Sequence, residues 1–170
     1  PIPSEFEART NTTFDALMWA LSRPGRPRDL PEPGLAPIAE ALIDRECHVH
    51  SDNPELLAFA EHLGAHQAAP ETADHLFLRQ VPDNCPQTLR QGSDLYPEEG
   101  ATLVVEARIG TGLELRLTGP GIDGSESVSV GGIDAEFWRR RSRAIRYPMG
   151  VELFIVDGTR VLGIPRSTHV

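Results

Sequence analysis

Ala101-Thr102-Leu103-Val104-Val105-Glu106-Ala107-Arg108 and, after four intervening residues, Leu113-Glu114-Leu115-Arg116-Leu117-Thr118 read as two strands of different kinds. The first carries a continuous apolar run, Leu103-Val104-Val105, as a strand buried on both faces does. The second alternates Leu113, Leu115 and Leu117 with Glu114, Arg116 and Thr118, the pattern of a half-buried strand. Ile109-Gly110-Thr111-Gly112 reads as the turn between them, so the pair is expected to form a hairpin. Further on, Val151–Val156 and Arg160–Ile164 read as a second hairpin across Asp157-Gly158-Thr159. Between the two hairpins lie a short strand at Ser127–Val130 and a helix from an Asp134 cap to about Arg146, with Pro148 beyond its end.

Toward the amino end the periodicity is helical. Phe6 to Leu21 reads as an amphipathic helix with Phe6, Thr10, Thr13, Phe14, Leu17, Met18 and Leu21 on its apolar face, stopped by Ser22-Arg23-Pro24-Gly25. Trp19 falls on the polar face beside Thr12 and Asp15. It is either a contact point for a partner or a ring covered by the Pro- and Arg-rich connector that follows. Leu35, Ile38, Leu42 and Ile43 mark a second helix, and Cys47-His48-Val49-His50 a short strand. A third helix opens at Asp52-Asn53-Pro54 and closes at Gly64. Residues 65–74 read as loop, His75–Val81 as strand, and Pro86–Arg90 as a short helix or loop. Interspersed helices and strands with late hairpins give an α/β fold: a single domain over residues 1–170, with a mixed β-sheet flanked by helices.

The chain of 170 residues carries 16 basic and 25 acidic side chains, a formal charge of −9. That balance argues against a nucleic-acid partner and against a polybasic membrane surface. All the basic residues are arginine, which excludes a pyridoxal-phosphate Schiff base and a P-loop lysine, and suits bidentate binding of carboxylate or phosphate. Cys47 and Cys85 make no disulfide framework and read as buried thiols. No run of 18 apolar residues is present, and Pro1–Glu5 has neither a basic start nor an apolar core, so the reading is a cytoplasmic protein.

No Gly-x-Ser-x-Gly, Walker A or His-Glu-x-x-His motif occurs, and no catalytic residue is assigned. His48, His50, His62 and His66 recur at strand and helix spacing, but no acidic or cysteine partner is fixed by that spacing, so no metal site is assigned. In the run Arg139–Arg146, Arg139, Arg143 and Arg146 share a face away from Phe137, Trp138 and Ile145, as a solvated or docking surface. Arg141 falls within the apolar face, where an arginine needs a partner: an ion pair first, an interface second, a ligand anion third. Thr118-Gly119-Pro120-Gly121 follows a strand and is a tight turn or a weak anion cradle. Arg166, Thr168 and His169 follow the last strand. They are candidate phosphate or phosphonate ligands together with Gly119 and Gly121, on the expectation that this strand end borders a crevice.

Four blocks carry a resemblance: Glu99-Gly100-Ala101-Thr102-Leu103, Leu115-Arg116-Leu117-Thr118-Gly119-Pro120-Gly121-Ile122, Tyr147-Pro148-Met149-Gly150-Val151-Glu152-Leu153 and Ile164-Pro165-Arg166-Ser167-Thr168-His169-Val170. In this order they resemble PhnH, the H subunit of the bacterial carbon–phosphorus lyase system for phosphonate use, and the Phe14–Gly25 segment is similar to that family's first helix and stop. The resemblance implies a fold similar to the large domain of pyridoxal-phosphate-dependent transferases without the cofactor site. It also implies a homodimer that docks on sibling subunits, especially a nucleosidase-like one. Together they displace the adenine of ATP by a phosphonate, giving ribose 1-phosphonate 5-triphosphate. No catalytic residue and no cofactor transfer with it.

Three readings follow. The chain is a docking or shaping subunit with Trp19, Arg139, Arg143 and Arg146 at partner surfaces. Alternatively it is a stand-alone nucleotide- or phosphonate-binding module or enzyme using Arg166, Thr168 and His169. The third reading is a ligand-free homodimeric scaffold.

Overall fold

The computed structural model describes residues 4–170; Pro1, Ile2 and Pro3, on which the leader reading partly rests, lie outside them. Its elements in chain order are α1 (Glu5–Ser22), β1 (Arg28–Asp29), α2 (Ala36–Leu42), β2 (His48–Ser51), α3 (Pro54–Leu63), β3 (His66–Gln67), β4 (His75–Leu78), a 3-10 turn at Pro97–Glu99, β5 (Thr102–Glu106), β6 (Arg108–Leu117), β7 (Glu126–Gly131), α4 (Ala135–Ala144), β8 (Glu152–Asp157) and β9 (Arg160–Ile164). Seven strands form a mixed sheet in the order β1-β9-β8-β5-β4-β2-β3. β3, β2, β4, β5 and β8 run parallel; β9 is antiparallel to β8, and β1 to β9.

Strand alternation divides the core into two layers. Phe77, Val104 and Phe154 point to one face and pack with Leu17, Ile38 and Leu56 of α1, α2 and α3. Leu76, Leu103 and Leu153 point to the other and pack with Leu115, Leu117 and Val130 of a separate β6–β7 ribbon and with Phe137 and Trp138 of α4. The α/β class and the mixed sheet flanked by helices follow the sequence pattern. Asn53 and Asp134 cap α3 and α4 by accepting from the Glu55 and Glu136 amides, and Gly64 closes α3. The β8–β9 hairpin turns at Asp157–Thr159, as its sequence indicates.

The first hairpin is a correction. β5 is not paired with the strand that follows it: its neighbours are β4 and β8, both parallel to it. A strand apolar on both faces needs cover on both, and only a central position provides that. The Gly110-Thr111-Gly112 stretch is a bulge inside β6, where Ile109 and Leu113 both pair with Val130. Gly112, at φ +89°, permits the bulge, since a Cβ there would lie 2.5 Å from the Gly131 Cα.

The face of α1 is a second correction. Thr13, Ala16, Leu17 and Ala20 are buried, whereas Phe6, Phe14 and Met18 are 50%, 48% and 52% exposed. The cause is the approach of α1 to β9, where a Cβ on Gly163 would sit 2.6 Å from the main chain of Ala20. Only a small residue fits at that distance, so Ala20 faces β9, Leu17 packs beside it, and Phe6, Phe14 and Met18 are turned outward. The two-residue strands β1 and β3 fall in stretches read as connector and loop, and Pro86–Arg90 forms turns rather than a helix. α4 ends at Ala144, two residues before Arg146.

Candidate functional site

The parallel strands β4, β5 and β8 end at one edge of the sheet, and each is followed or closed by a charged residue: Arg79 after Leu78, Glu106 after Val105, Asp157 after Val156. The chain leaves β2 for β3 on one side and returns to β4 on the other, so the strand order reverses between β2 and β4. Open α/β sheets hold ligands outside the carboxyl ends of their strands near such a reversal. An open cleft of about 680 Å³ lies along the same edge, over the ends of β4, β5 and β8 and beside that reversal, lined by Arg79, Gln80, Glu106, Arg108 and Asp157, with Gly34, Gly131, Gly132 and Gly158 among its walls. A second hollow of about 270 Å³ shares Pro33, Gly34 and Glu106 with it and reaches Asn53 and Glu55 at the start of α3.

Two carboxylates brace this edge. Asp52 accepts from the main-chain amides of Arg79 (2.9 Å) and Gln80 (3.2 Å), fixing the segment that carries Arg79. Asp157 accepts from the Ile109 amide (3.0 Å) and from Arg160 Nη2 (2.9 Å). The Ile109 amide first, and the Arg160 guanidinium after it, hold the Asp157 carboxyl below its usual range. Arg79, Glu106 and Arg108 are exposed, and none forms an ion pair among the described residues. Sequence reasoning missed them. The available signal was a charged residue directly after each apolar run.

Arg166, Thr168 and His169 lie at the opposite edge. Because β9 runs antiparallel, its end meets the amino ends of the parallel strands, so the crevice rule does not apply to it. Gly119, Thr168 and His169 are brought together: Thr118 and His169 exchange main-chain hydrogen bonds of 3.0 and 2.8 Å, and a Cβ on Gly119 would lie 2.6 Å from the Ser167 carbonyl oxygen. Gly121 lies instead against the Ser22 carbonyl at the end of α1. The Arg166 guanidinium is engaged by Glu152 (3.0 Å) and by the Pro97 carbonyl. Thr168 is buried. A recess of about 100 Å³ remains between Arg141, Tyr147, Arg166 and His169.

Arg141 is 2% exposed, as its place within the apolar face of α4 requires. Its partner is not a carboxylate. Nη1 donates to the Thr168 carbonyl (3.0 Å), and Nη2 to the carbonyls of Pro165 (2.8 Å) and Ile164 (3.3 Å). The guanidinium therefore clamps the end of β9 and the following segment to α4. Burial pushes its pKa down to about 10, against the opposing pull of Glu152.

Of the docking candidates, Arg139, Arg143 and Arg146 are exposed, with Arg139 paired to Glu136 at 2.7 Å. Trp19 is half-buried under the connector, with the Arg23 and Arg28 guanidiniums 5.9 and 5.0 Å from its ring centre. α1 and α4 pack on opposite faces of the sheet, so Trp19 and the three arginines belong to different surfaces. The His48 and His66 rings are 5.7 Å apart, His48 Nδ1 lies 3.3 Å from Asp74, and His50 Nδ1 meets the Ala68 carbonyl. Among the described residues, no group of three or more His, Cys, Asp and Glu side chains could hold a metal, and no helix is long and apolar enough to cross a membrane. Cys85 is buried as its sequence reading expects, whereas Cys47, near the sheet edge, is only half-buried; burial pushes the Cys47 thiol up to about 11 and the Cys85 thiol to about 12.

The class defined by these features is an α/β protein with a mixed sheet, helices on both faces and an open polar trough at the carboxyl edge. Residues 4–170 match the family described as bacterial phosphonate metabolism protein (PhnH). HtxG of Stutzerimonas stutzeri, whose name assigns it as a C-P lyase subunit protein, is 37% identical over 169 residues, covering 95% of this chain and 86% of the relative. The chain belongs to the PhnH family of phosphonate metabolism.

Proposed function

We propose that this chain is a subunit of a carbon–phosphorus lyase assembly, acting in the cytoplasm as a docking or shaping component. In this reading residues 1–170 are one PhnH-like domain, with the likeness to the large domain of pyridoxal-phosphate-dependent transferases that the family resemblance implies. Working with sibling subunits, above all a nucleosidase-like one, it serves the displacement of adenine from ATP by a phosphonate. A phosphonate oxygen bonds to C1′ of the ribose, the bond from C1′ to the base breaks, and adenine leaves with a proton. The observation that carries the reading is the match to HtxG over 95% of this chain and 86% of the relative, which is itself assigned as a C-P lyase subunit.

A second observation favours docking. Phe6, Phe14 and Met18 form an outward apolar stripe on α1 that stays about half exposed, with the Arg9 guanidinium 5.8 Å from the Phe6 ring centre. Large exposed apolar groups in a row mark association surfaces. The homodimer and the sibling contacts are assigned to this stripe, to the neighbouring Trp19, and to Arg139, Arg143 and Arg146 on the other side of the sheet.

The test is co-expression of the tagged chain with candidate sibling subunits and light scattering on the eluate. A stable hetero-assembly is expected. Phe14→Asp with Met18→Asp, or Arg143→Glu with Arg146→Glu, should leave the fold intact and weaken assembly. A chain that ignores every sibling refutes the subunit reading, and double variants that assemble normally refute the surface assignments.

A further inference from the structure

Leu78 of β4 pairs with Val105 of β5, so Arg79 and Glu106 leave the sheet side by side. They nevertheless form no ion pair, and Arg108, two residues beyond Glu106, forms none either among the described residues. All three line the same cleft of about 680 Å³. The other carboxylates of this edge, Asp52 and Asp157, are already committed to main-chain amides and to Arg160. The cleft thus presents two guanidiniums and one carboxylate outside any ion pair among the described residues, with Arg108 also in the field of Asp157, and with Gly34, Gly131, Gly132 and Gly158 in its walls.

These groups select a chemistry. A guanidinium carries donors in a planar fork and no acceptor, which matches the oxygens of a phosphoryl or phosphonyl group. A carboxylate repels such an oxyanion but accepts hydrogen bonds from hydroxyls. A ligand satisfying both has an anionic tetrahedral end and a neutral, hydroxyl-bearing body. The cleft volume falls within the ~300–1,000 Å³ common for small-molecule sites and far exceeds what an inorganic phosphate needs. The second hollow continues from Glu106 toward Asn53 and Glu55, leaving room for a further group on the sugar side.

We propose that the carboxyl-edge cleft binds a phosphorylated sugar, free or within a nucleotide, with its phosphate at Arg79 and Arg108 and its hydroxyls at Glu106. The site is independent of the subunit reading, since it uses none of the surfaces assigned to docking.

Calorimetry on the full chain tests it with ribose 5-phosphate, adenosine monophosphate, ribose and inorganic phosphate as probes. Ribose 5-phosphate is expected to bind at least about tenfold tighter than ribose or inorganic phosphate. Adenosine monophosphate binding as tightly or tighter identifies a nucleotide occupant of both hollows; weaker binding identifies the free sugar phosphate. Arg79→Gln and Arg108→Gln should each weaken the sugar phosphate about tenfold. Glu106→Gln should weaken it while leaving inorganic phosphate unchanged or tighter. Arg116→Gln, on β6 outside the cleft and exposed, serves as the control and should bind as the parent does. Because Arg79, Glu106 and Arg108 are exposed, the variants should keep the parent's thermal melt. No heat with any probe at 10 mM (on the order of the weakest affinity worth assigning), inorganic phosphate binding as well as the sugar phosphate, or affinity indifferent to both arginine variants would each overturn the proposal.

Discussion

Replacing Arg141 with leucine should loosen one corner of the molecule before it unfolds the whole. The side chain is 2% exposed, and its two terminal nitrogens satisfy three main-chain carbonyls at the end of β9 and in the segment that follows it. Two of the contacts, at 3.0 and 2.8 Å, are good hydrogen bonds from a charged donor, each contributing about 1.5–3 kcal/mol; the third, at 3.3 Å, is weaker. Leucine strands those carbonyls, but it also removes a buried cation and adds apolar surface, which offsets part of the loss. The balance is a destabilisation of about 3 kcal/mol, or roughly 1.5 M off the urea midpoint at a slope of ~2 kcal/mol/M. Lysine keeps a charged donor without the fork and should cost about 1–2 kcal/mol. Hydrogen exchange locates the effect. The Thr168 and His169 amides, bonded to Pro165 and Thr118, should lose protection more than the amides of β5. Arg143→Leu, exposed and in no ion pair among the described residues, should stay within about 0.5 kcal/mol of the parent. An Arg141→Leu protein with an unchanged midpoint and unchanged exchange at Thr168 and His169 would refute the clamp.

Gly163→Val should destabilise by about 1–3 kcal/mol, because a Cβ at that position meets the Ala20 main chain at 2.6 Å; an unchanged urea midpoint would show that α1 does not approach β9 so closely. Cys47 and Cys85, with thiols raised to about 11 and 12, should alkylate slowly at pH 8, and the Cys47 rate should climb with pH toward 11; rapid labelling of the native protein at pH 8 contradicts the burial described. The folded-state Asp157 carboxyl lies below its unfolded value, so its contribution is present above pH ~4 and lost as pH falls through the folded value. Thermal melts of Asp157→Asn should therefore fall less steeply than the parent's between pH ~5 and ~3, and parallel curves would refute the assignment.

Local sequence settled the type of the longer elements and several of their ends, but not the two-residue strands β1 and β3 or the extent of β6. Leu103-Val104-Val105, apolar at every position, required a strand covered on both faces, and the alternation in 113–118 required one covered on a single face. Asn53, Gly64, Asp134 and Asp157-Gly158-Thr159 fixed caps and a turn through their own side chains and backbone freedom. Arg141 was legible as buried from helical spacing alone. The four blocks that resemble PhnH named the family.

Partnership between distant segments belonged to the tertiary structure. The pattern in 101–118 says that each strand is buried, not with which strand it pairs, so β5 and β6 looked like a hairpin until β4 and β8 occupied both edges of β5. Hydrophobicity placed Phe6, Phe14 and Met18 on the buried face of α1 together with Leu17, whereas the close approach to Gly163 set Ala20 against β9 and left those three outward. The ligands of Arg141 are main-chain oxygens, which carry no residue signature. Arg79, Glu106 and Arg108 meet at one cleft only because parallel strands bring their carboxyl ends to a common edge, while the antiparallel β9 carries Arg166 and His169 to the opposite one. A one-dimensional pattern records how much water each residue loses; strand direction, pairing and helix distance depend on the shapes of segments far away in the chain, and those alone decide which side chains share a site.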